Sequence, residues 1–140
     1  MTENYKILAK FIKDLSGETP NTETYLFVKD NIAKYQLAID ITSKALKNQM
    51  IEINTKLKFE DKEDNAKKSY FEIVYATIIK VNDKIKQKEE LEKIILCDVQ
   101  KEIYSDLERS LLNLLHDSGY PNIKFEKKVD FEKLYNQRFN

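Results

Sequence analysis

The chain has 140 residues, and its 24 basic and 24 acidic side chains give a net charge of zero, which argues against general nucleic-acid binding. Hydrophobic residues make up 41% of the sequence, so we expect a single domain, residues 1–140, with a core that needs no disulfide or metal. The pattern at the N-terminus is not that of a secretory signal, and the short apolar runs predict no membrane insertion.

The first half of the chain predicts strands, because apolar residues alternate with other residues along four segments. The first segment, residues 5–12, is mostly apolar on both faces, whereas residues 35–42 and 51–59 are apolar at alternate positions. After the polar stretch 60–68, aromatic and β-branched residues return at 69–81. Period-two alternation bounded by polar turns is typical of an antiparallel sheet, so four antiparallel strands are predicted.

In the second half, the apolar residues fall three and four positions apart, which predicts one amphipathic helix from residue 88 to residue 118. Gly119 is placed to cap the C-terminus of this helix, and Pro121 follows it. A short second helix is predicted to begin with Asp130 as its N-cap. Strands followed by helices predict an α+β fold: a four-stranded antiparallel sheet, then one long and one short C-terminal helix.

The length of the first helix suggests an oligomer. Thirty residues at 1.5 Å per residue span about 45 Å, which is more than a globule of this size needs. Tyr104 lies off the main apolar stripe of the helix. We therefore expect the helix to pack against another copy of the chain, the alternative being a long helix that lies across its own sheet.

The candidate catalytic residues do not form a catalytic arrangement. Cys97 and His116 lie nineteen residues apart on the predicted helix, about 28 Å, so they cannot form a nucleophile–base pair within one chain. Cys97 is expected to be a small buried or interfacial hydrophobe, and His116 to interact with the C-terminal helix dipole. With only two glycines the sequence contains no glycine-rich phosphate-binding loop, and it contains no cluster of cysteines and histidines that could bind a metal. We therefore predict that the protein is not an enzyme and that it binds no cofactor.

Three segments resemble SecB, the tetrameric protein-export chaperone family of bacteria. They are residues 13–21 (KDLSGETPN), the turn 119–121 (GYP) after the long helix, and the helix start 130–135 (DFEKLY). The resemblance covers nearly the whole chain and implies a SecB-like fold. It also implies an ATP-independent cytoplasmic chaperone that assembles as a dimer of dimers, holds unfolded secretory precursors and passes them to the motor ATPase SecA.

The resemblance implies a role for the acids at the end of the first strand. In the family, a negative patch on the sheet docks the basic, zinc-containing C-terminal tail of SecA, and the matching residues here are Asp14, Glu18 and Glu72, with Tyr70 at an apolar contact position. Carboxylates on a rigid sheet give a basic peptide charge-assisted contacts. The alternative is that Asp14 and Glu18 only solubilise a strand end and shape the turn before Pro20.

The resemblance also implies apolar grooves that hold unfolded clients, since such a surface must be exposed and adaptable. Candidate client-binding residues lie in the segment after the first strand and on the last helix: Tyr25, Leu26, Phe27, Phe131, Leu134, Tyr135 and Phe139. The alternative is that Leu26 and Phe27 fill the protomer's own core.

The sequence departs from the family in ways that bear on these expectations. Family members are strongly acidic, whereas this chain is neutral, so its attraction to SecA is expected to be weaker. The proline-rich aromatic segment of the long helix is absent after Cys97, which predicts a straighter helix, and Gly17 stands where an aromatic residue is common. The acidic C-terminal tail of the family is also missing from the sequence.

Two further hypotheses stay open at this point. The chain could be a SecB-like chaperone dedicated to one client, such as an antitoxin, without SecA docking. It could also be a plain oligomeric scaffold without a client groove. An intact acidic patch would distinguish a chaperone that delivers precursors to SecA from a chaperone dedicated to one client. An exposed apolar groove would distinguish both kinds of chaperone from the scaffold.

Overall fold

A computed structural model describes residues 3–63, 66–125 and 129–139, with only the backbone described for residues 138 and 139. The α+β fold is the predicted one, a four-stranded antiparallel sheet covered by a long helix and a short C-terminal helix. In chain order the elements are β1 (Tyr5–Glu18), α1 (Thr22–Asn31), a 3-10 turn (Ile32–Lys34), β2 (Tyr35–Ala45), β3 (Met50–Asp61), β4 (Tyr70–Val81), α2 (Lys88–Lys93), a π-helical segment (Ile94–Asp98), α3 (Val99–Asp117) and α4 (Phe131–Phe139).

The sheet has the strand order β1-β4-β3-β2, so β1 and β2 form its two edges. Strand β2 pairs with β3 in uninterrupted register, whereas β1 shifts its register on β4 twice, between Ile7 and Ala9 and between Ile12 and Asp14. Such irregularities bend an edge strand and change which side chains face each way. The predicted strands are therefore confirmed, and β1 runs six residues beyond its predicted end.

The core lies between one face of the sheet and the long helix. Alternate residues of β3 and β4, such as Ile53, Leu57 and Ile73, are fully buried on this face. The helix contributes a buried stripe on its sheet-facing side, made of Val99, Ile103, Leu107, Leu111 and Leu115. Two layers that each bury one apolar face are the arrangement expected for this class of fold. The opposite face of the sheet, called the outer face below, is not covered by the long helix.

The long helix consists of α2, the π-helical segment and α3, which follow one another without a break over 30 residues. The predicted helix is confirmed, but the π turn is not indicated by the apolar spacing. The buried side chain of Gln100 donates a 3.1 Å hydrogen bond to the backbone oxygen of Ile95 and accepts one of 2.9 Å from the hydroxyl of Thr55. Gln100 thereby satisfies a carbonyl in the widened turn and ties it to β3.

The predicted helix ends are found at the expected residues. Gly119 has a φ of 107°, and the next amide, Tyr120, donates to the carbonyl of Leu115 over 3.1 Å, closing the C-terminus of α3. At the start of α4, a carboxylate oxygen of Asp130 accepts a 3.1 Å hydrogen bond from the amide of Lys133. No helix within the described ranges is long and apolar enough to cross a membrane.

Helix α1 is not predicted from the sequence, which indicates neither a helix nor a strand for residues 22–31. The side chain of Asn21 caps the helix by accepting a 2.8 Å hydrogen bond from the amide of Thr24. Only Thr24 and Val28 are buried on α1, so the helix has no apolar stripe strong enough to appear in the sequence. Its position decides where the candidate client-binding residues lie.

Candidate docking and client-binding surfaces

The four candidate docking residues lie on the outer face of the sheet, at one end of the β1–β4 pair. Glu18 on β1 is directly opposite Tyr70 on β4, and Ser16 is directly opposite Glu72. Asp14 lies two residues further along β1, beyond Ser16, on the same face. The neighbours of Tyr70 and Glu72 on β4 alternate with them and are buried against the helix, so both side chains face outward. The structure therefore brings the predicted acids together.

The two acids on β1 are open to solvent. Both Asp14 and Glu18 are exposed, and Asp14 accepts a 2.7 Å hydrogen bond from the hydroxyl of Ser16. This bond fixes the direction of the Asp14 carboxylate without neutralising its charge. A cationic partner can therefore reach both carboxylates at this edge of the sheet.

Glu72 is in a different environment. Its side chain is only 12% exposed, and its Oε1 lies 3.6 Å from the ammonium of Lys56 and 3.8 Å from that of Lys58. Both lysines come from β3, the next strand of the sheet, where Lys58 is directly opposite Glu72. The negative charge predicted at this position is thus already compensated within the protein.

Tyr70 on β4 lies between Glu18 of β1 and Lys58 of β3. Its ring is 39% exposed, and the ammonium of Lys58 lies 5.9 Å from the ring centroid, within reach of a cation–π contact. Partial burial, reinforced by the neighbouring carboxylate of Glu72, raises the pKa of the Tyr70 phenol to about 12. Tyr70 therefore remains a neutral aromatic surface at physiological pH.

Helix α1 presents two of the candidate client-binding residues to solvent. Leu26 is 54% exposed and Phe27 is 36% exposed. Tyr25 instead turns inward, where its ring packs 5.4 Å from that of Tyr120, centroid to centroid. Because Thr24 and Val28 are the buried residues of this helix, the alternative in which Leu26 and Phe27 fill the core is wrong.

The candidates on α4 differ in their accessibility. Phe131 is only 3% exposed and packs edge-on against Tyr104 of the long helix, with ring centroids 5.3 Å apart. Leu134 is exposed, and the hydroxyl of Tyr135 donates to the backbone oxygen of Glu89 over 3.4 Å. The predicted position Phe139 lies outside the residues whose side chains are described.

The candidates on α1 and α4 do not form one continuous site within the chain. Helix α1 contacts the end of the long helix at Gly119, whereas α4 contacts it at Tyr104 and, through a 2.7 Å ion pair from Glu132, at Lys101. Tyr104 and Gly119 are fifteen residues apart, which corresponds to roughly 22 Å along the axis of a helix. A client that touched both helices would therefore need an extended segment.

A further apolar surface lies on β1, the strand through which the resemblance to SecB implies that the sheet extends across protomers. This edge strand exposes four large apolar side chains: Leu8, Phe11, Ile12 and Leu15. The signal was present in the sequence, because the segment is apolar on both faces although only one face of an ordinary edge strand is buried. Exposed apolar residues along an unpaired strand edge are typical of a protein–protein interface.

Neither Cys97 nor His116 is arranged for catalysis. Cys97 is fully buried, as predicted, and burial raises the pKa of its thiol. His116, in the last turn of α3, forms a 3.0 Å hydrogen bond through Nε2 to the backbone oxygen of Ile123. Across the described parts of the chain, no three acidic, histidine or cysteine side chains are grouped to hold a metal ion.

Comparisons with known proteins identify the family of the chain. The model of the family described as "Preprotein translocase subunit SecB" matches residues 1–140. A relative from Pelagibacter ubique (strain HTCC1062), named provisionally as a protein-export protein SecB, is 63% identical over the full length of both chains. The protein-export protein SecB of Parvibaculum lavamentivorans is 26% identical over 95% of this chain and 77% of its own.

A solved structure has a similar fold. It is a SecB-like chaperone of Mycobacterium tuberculosis in complex with a peptide from an antitoxin, and it aligns with a TM-score of 0.62 at 12% identity. The alignment covers 89% of this chain and 91% of the other. At this identity the likeness concerns the fold alone.

Proposed function

Because the chain belongs to the SecB family, and is thus a protein-export chaperone rather than an enzyme, we propose that it holds secretory precursors unfolded and delivers them to SecA. Capture occurs in the cytoplasm by burial of apolar client side chains and needs no ATP. The chain itself needs no nucleotide, metal or other cofactor in this role.

The observation that carries the client-binding proposal is the exposure of Leu26 and Phe27 on α1. The helix is held in place by other residues, so these two side chains are free to contact a partner. Each Å² of apolar surface buried by a client contributes about 25 cal/mol before ordering costs are subtracted. Leu134 and Tyr135 extend the client surface along the long helix, and a long unfolded chain can reach both helices.

Assembly into a dimer of dimers explains the apolar surface of β1. We expect two protomers to pair through β1, which would bury Leu8, Phe11, Ile12 and Leu15 and extend each sheet across the dimer. Two such dimers then enclose their long helices between the sheets. This arrangement leaves the outer face of each sheet available for a different partner.

SecA docking uses that outer face. Asp14 and Glu18 offer exposed carboxylates to the basic C-terminal tail of SecA, and Tyr70 offers an aromatic contact next to them. Glu72 completes the site once its own lysines are displaced. A dedicated chaperone for one client, such as an antitoxin, or a plain scaffold is not favoured, because the relatives with matching sequences are named as protein-export proteins.

The proposal is tested by the refolding rate of a slow-folding secretory precursor diluted from denaturant, without ATP. An equimolar amount of the protein is expected to block refolding, and the variant Leu26→Ser/Phe27→Ser is expected to restore it. A matched control, Lys29→Ser on the same helix, is expected to block refolding as the natural chain does. Unchanged refolding in the presence of the natural chain would refute the client-binding proposal.

A further inference from the structure

Around Glu72, the charge on the outer face is divided between strands, although farther along this face Lys13 of β1 pairs with Glu52 of β3 over 2.9 Å. Strand β1 contributes the exposed acids Asp14 and Glu18, and β3 contributes the bases Lys56 and Lys58 at positions opposite Val74 and Glu72 of β4. Adjacent strands are about 4.8 Å apart, so the acidic and basic rows are separated by roughly 10 Å. A partner that is purely basic meets attraction on one row and repulsion on the other.

Glu72 lies on β4, between the acidic row of β1 and the basic row of β3, and its carboxylate is paired with the two lysines of the basic row. Its Oε1 is buried and lies 3.6 Å and 3.8 Å from the ammonium groups of Lys56 and Lys58. The distances are longer than those of a tight hydrogen bond, so the two lysines form a loose cage that a better-placed cation can replace. Lys58 also lies 5.9 Å from the ring centroid of Tyr70, so it occupies the aromatic contact as well.

We propose that Lys56 and Lys58 limit the affinity of the outer face for its docking partner, because they compete with the basic side chains of that partner for Glu72 and Tyr70. This inference rests on the SecA docking proposed above and concerns its strength. The two lysines act as internal counter-ions, so that a basic segment binds fully only after displacing them. Asp14 and Glu18 then provide the first, readily reached contact, and Glu72 the second.

The neutral net charge makes this local competition important. A strongly acidic surface attracts a basic segment over the whole face, whereas a neutral chain offers little long-range attraction. At physiological salt, exposed charges more than about 8 Å apart are largely screened from each other. Contacts at the site itself then determine affinity. A cation arriving at Glu72 meets two positive charges within 4 Å of the same carboxylate oxygen.

The test is the affinity of the full-length protein for a zinc-loaded peptide from the C-terminal tail of SecA, measured by titration calorimetry at low and physiological salt. The double variant Lys56→Gln/Lys58→Gln is expected to bind on the order of tenfold more tightly than the natural chain at low salt. The control Lys6→Gln/Lys80→Gln removes the same charge from a directly paired position on the same face. It lies eight residues along β4 from Glu72, about 26 Å, and is expected to change affinity less than twofold.

The outcomes separate this inference from the docking proposal. If Asp14→Asn/Glu18→Gln abolishes binding while Lys56→Gln/Lys58→Gln binds as the natural chain does, docking stands and the competition is refuted. If Lys56→Gln/Lys58→Gln and the control Lys6→Gln/Lys80→Gln tighten binding equally, the change in net charge explains the effect. The competition for Glu72 is then also refuted. If neither the natural chain nor any variant binds the peptide, the docking proposal itself fails. Melting temperatures equal to that of the natural chain show that the variants are folded.

Discussion

The phenol hydroxyl of Tyr25 donates a 2.8 Å hydrogen bond to the backbone carbonyl of Gly119, which anchors α1 to the turn that ends the long helix. Gly119 has a φ of 107°, and a Cβ at this position would lie 2.5 Å from Cε1 of the Tyr25 ring. The close approach of the ring therefore requires glycine for two reasons, conformation and space. This contact helps to position the exposed side chains of Leu26 and Phe27, the candidate client-binding residues next to Tyr25.

Replacing Gly119→Ala is expected to lower the free energy of unfolding by about 2–3 kcal/mol, because the new Cβ adds backbone strain and displaces Tyr25. Urea denaturation measures the change. The control is Gly17→Ala, where the Cβ would lie 3.3 Å from side-chain atoms of Leu114 and Phe71 and no positive φ is involved. An effect of Gly119→Ala no larger than that of Gly17→Ala would contradict the assignment.

Leu26→Ser/Phe27→Ser is expected to weaken binding of an unfolded client at least fivefold while changing the free energy of unfolding by less than about 0.5 kcal/mol, because both side chains are exposed. Val28→Ala, on the buried side of the same helix, should do the reverse and cost about 2 kcal/mol of stability. Client affinity by fluorescence anisotropy and stability by urea denaturation are measured for both. Equal losses of stability would mean that Leu26 and Phe27 are structural.

Gln49→Gly is expected to stabilise the fold by about 0.5–1 kcal/mol. Asn48 and Gln49 have φ angles of 61° and 63°, and Met50 donates back to the carbonyl of Lys47, so the β2–β3 turn is of type I′. Glycine adopts this conformation without the strain that a glutamine side chain introduces. Asn48→Gly is the control and should stabilise less, because asparagine tolerates positive φ. A melting temperature lowered by Gln49→Gly would contradict the turn assignment.

Stability is expected to fall as the pH rises from 10 to about 12. Burial is the leading cause that raises the pKa of both Tyr70 and Tyr104 to about 12. In the unfolded chain a tyrosine loses its proton near pH 10, so above this pH the unfolded state binds fewer protons and is favoured. Thermal denaturation across this range measures the loss, and Tyr104→Phe should reduce it. A pH-independent melting temperature between 10 and 12 would be inconsistent with these shifts.

The sheet and the long helix could be predicted because their patterns are strong and simple. Strand β3 alternates between buried and outward residues from Ile53 to Asp61, and the helix places an apolar residue at every fourth position from Val99 to Leu115. Helix α1 could not be predicted, since Thr24 and Val28 alone give no apolar stripe. Its start, in contrast, carried a readable signal in the N-cap Asn21.

The candidate docking surface was predicted in part. The resemblance supplied Asp14, Glu18 and Glu72, and the register of β1 on β4 brings them to one face. That register depends on two irregularities in β1, which nothing in the alternation of residues 5–12 indicates. The pairing of Glu72 with Lys56 and Lys58 is a cross-strand relationship, so it required the alignment of β3 with β4.

The central claim is that the chain is an oligomeric chaperone that captures unfolded precursors. The most direct test is the mass in solution by light scattering behind a sizing column, alone and with a permanently unfolded precursor. A species near four times the 16.6 kDa protomer that gains mass with the unfolded precursor, but not with a folded protein, is predicted. A monomer whose mass is indifferent to unfolded chains would contradict the account.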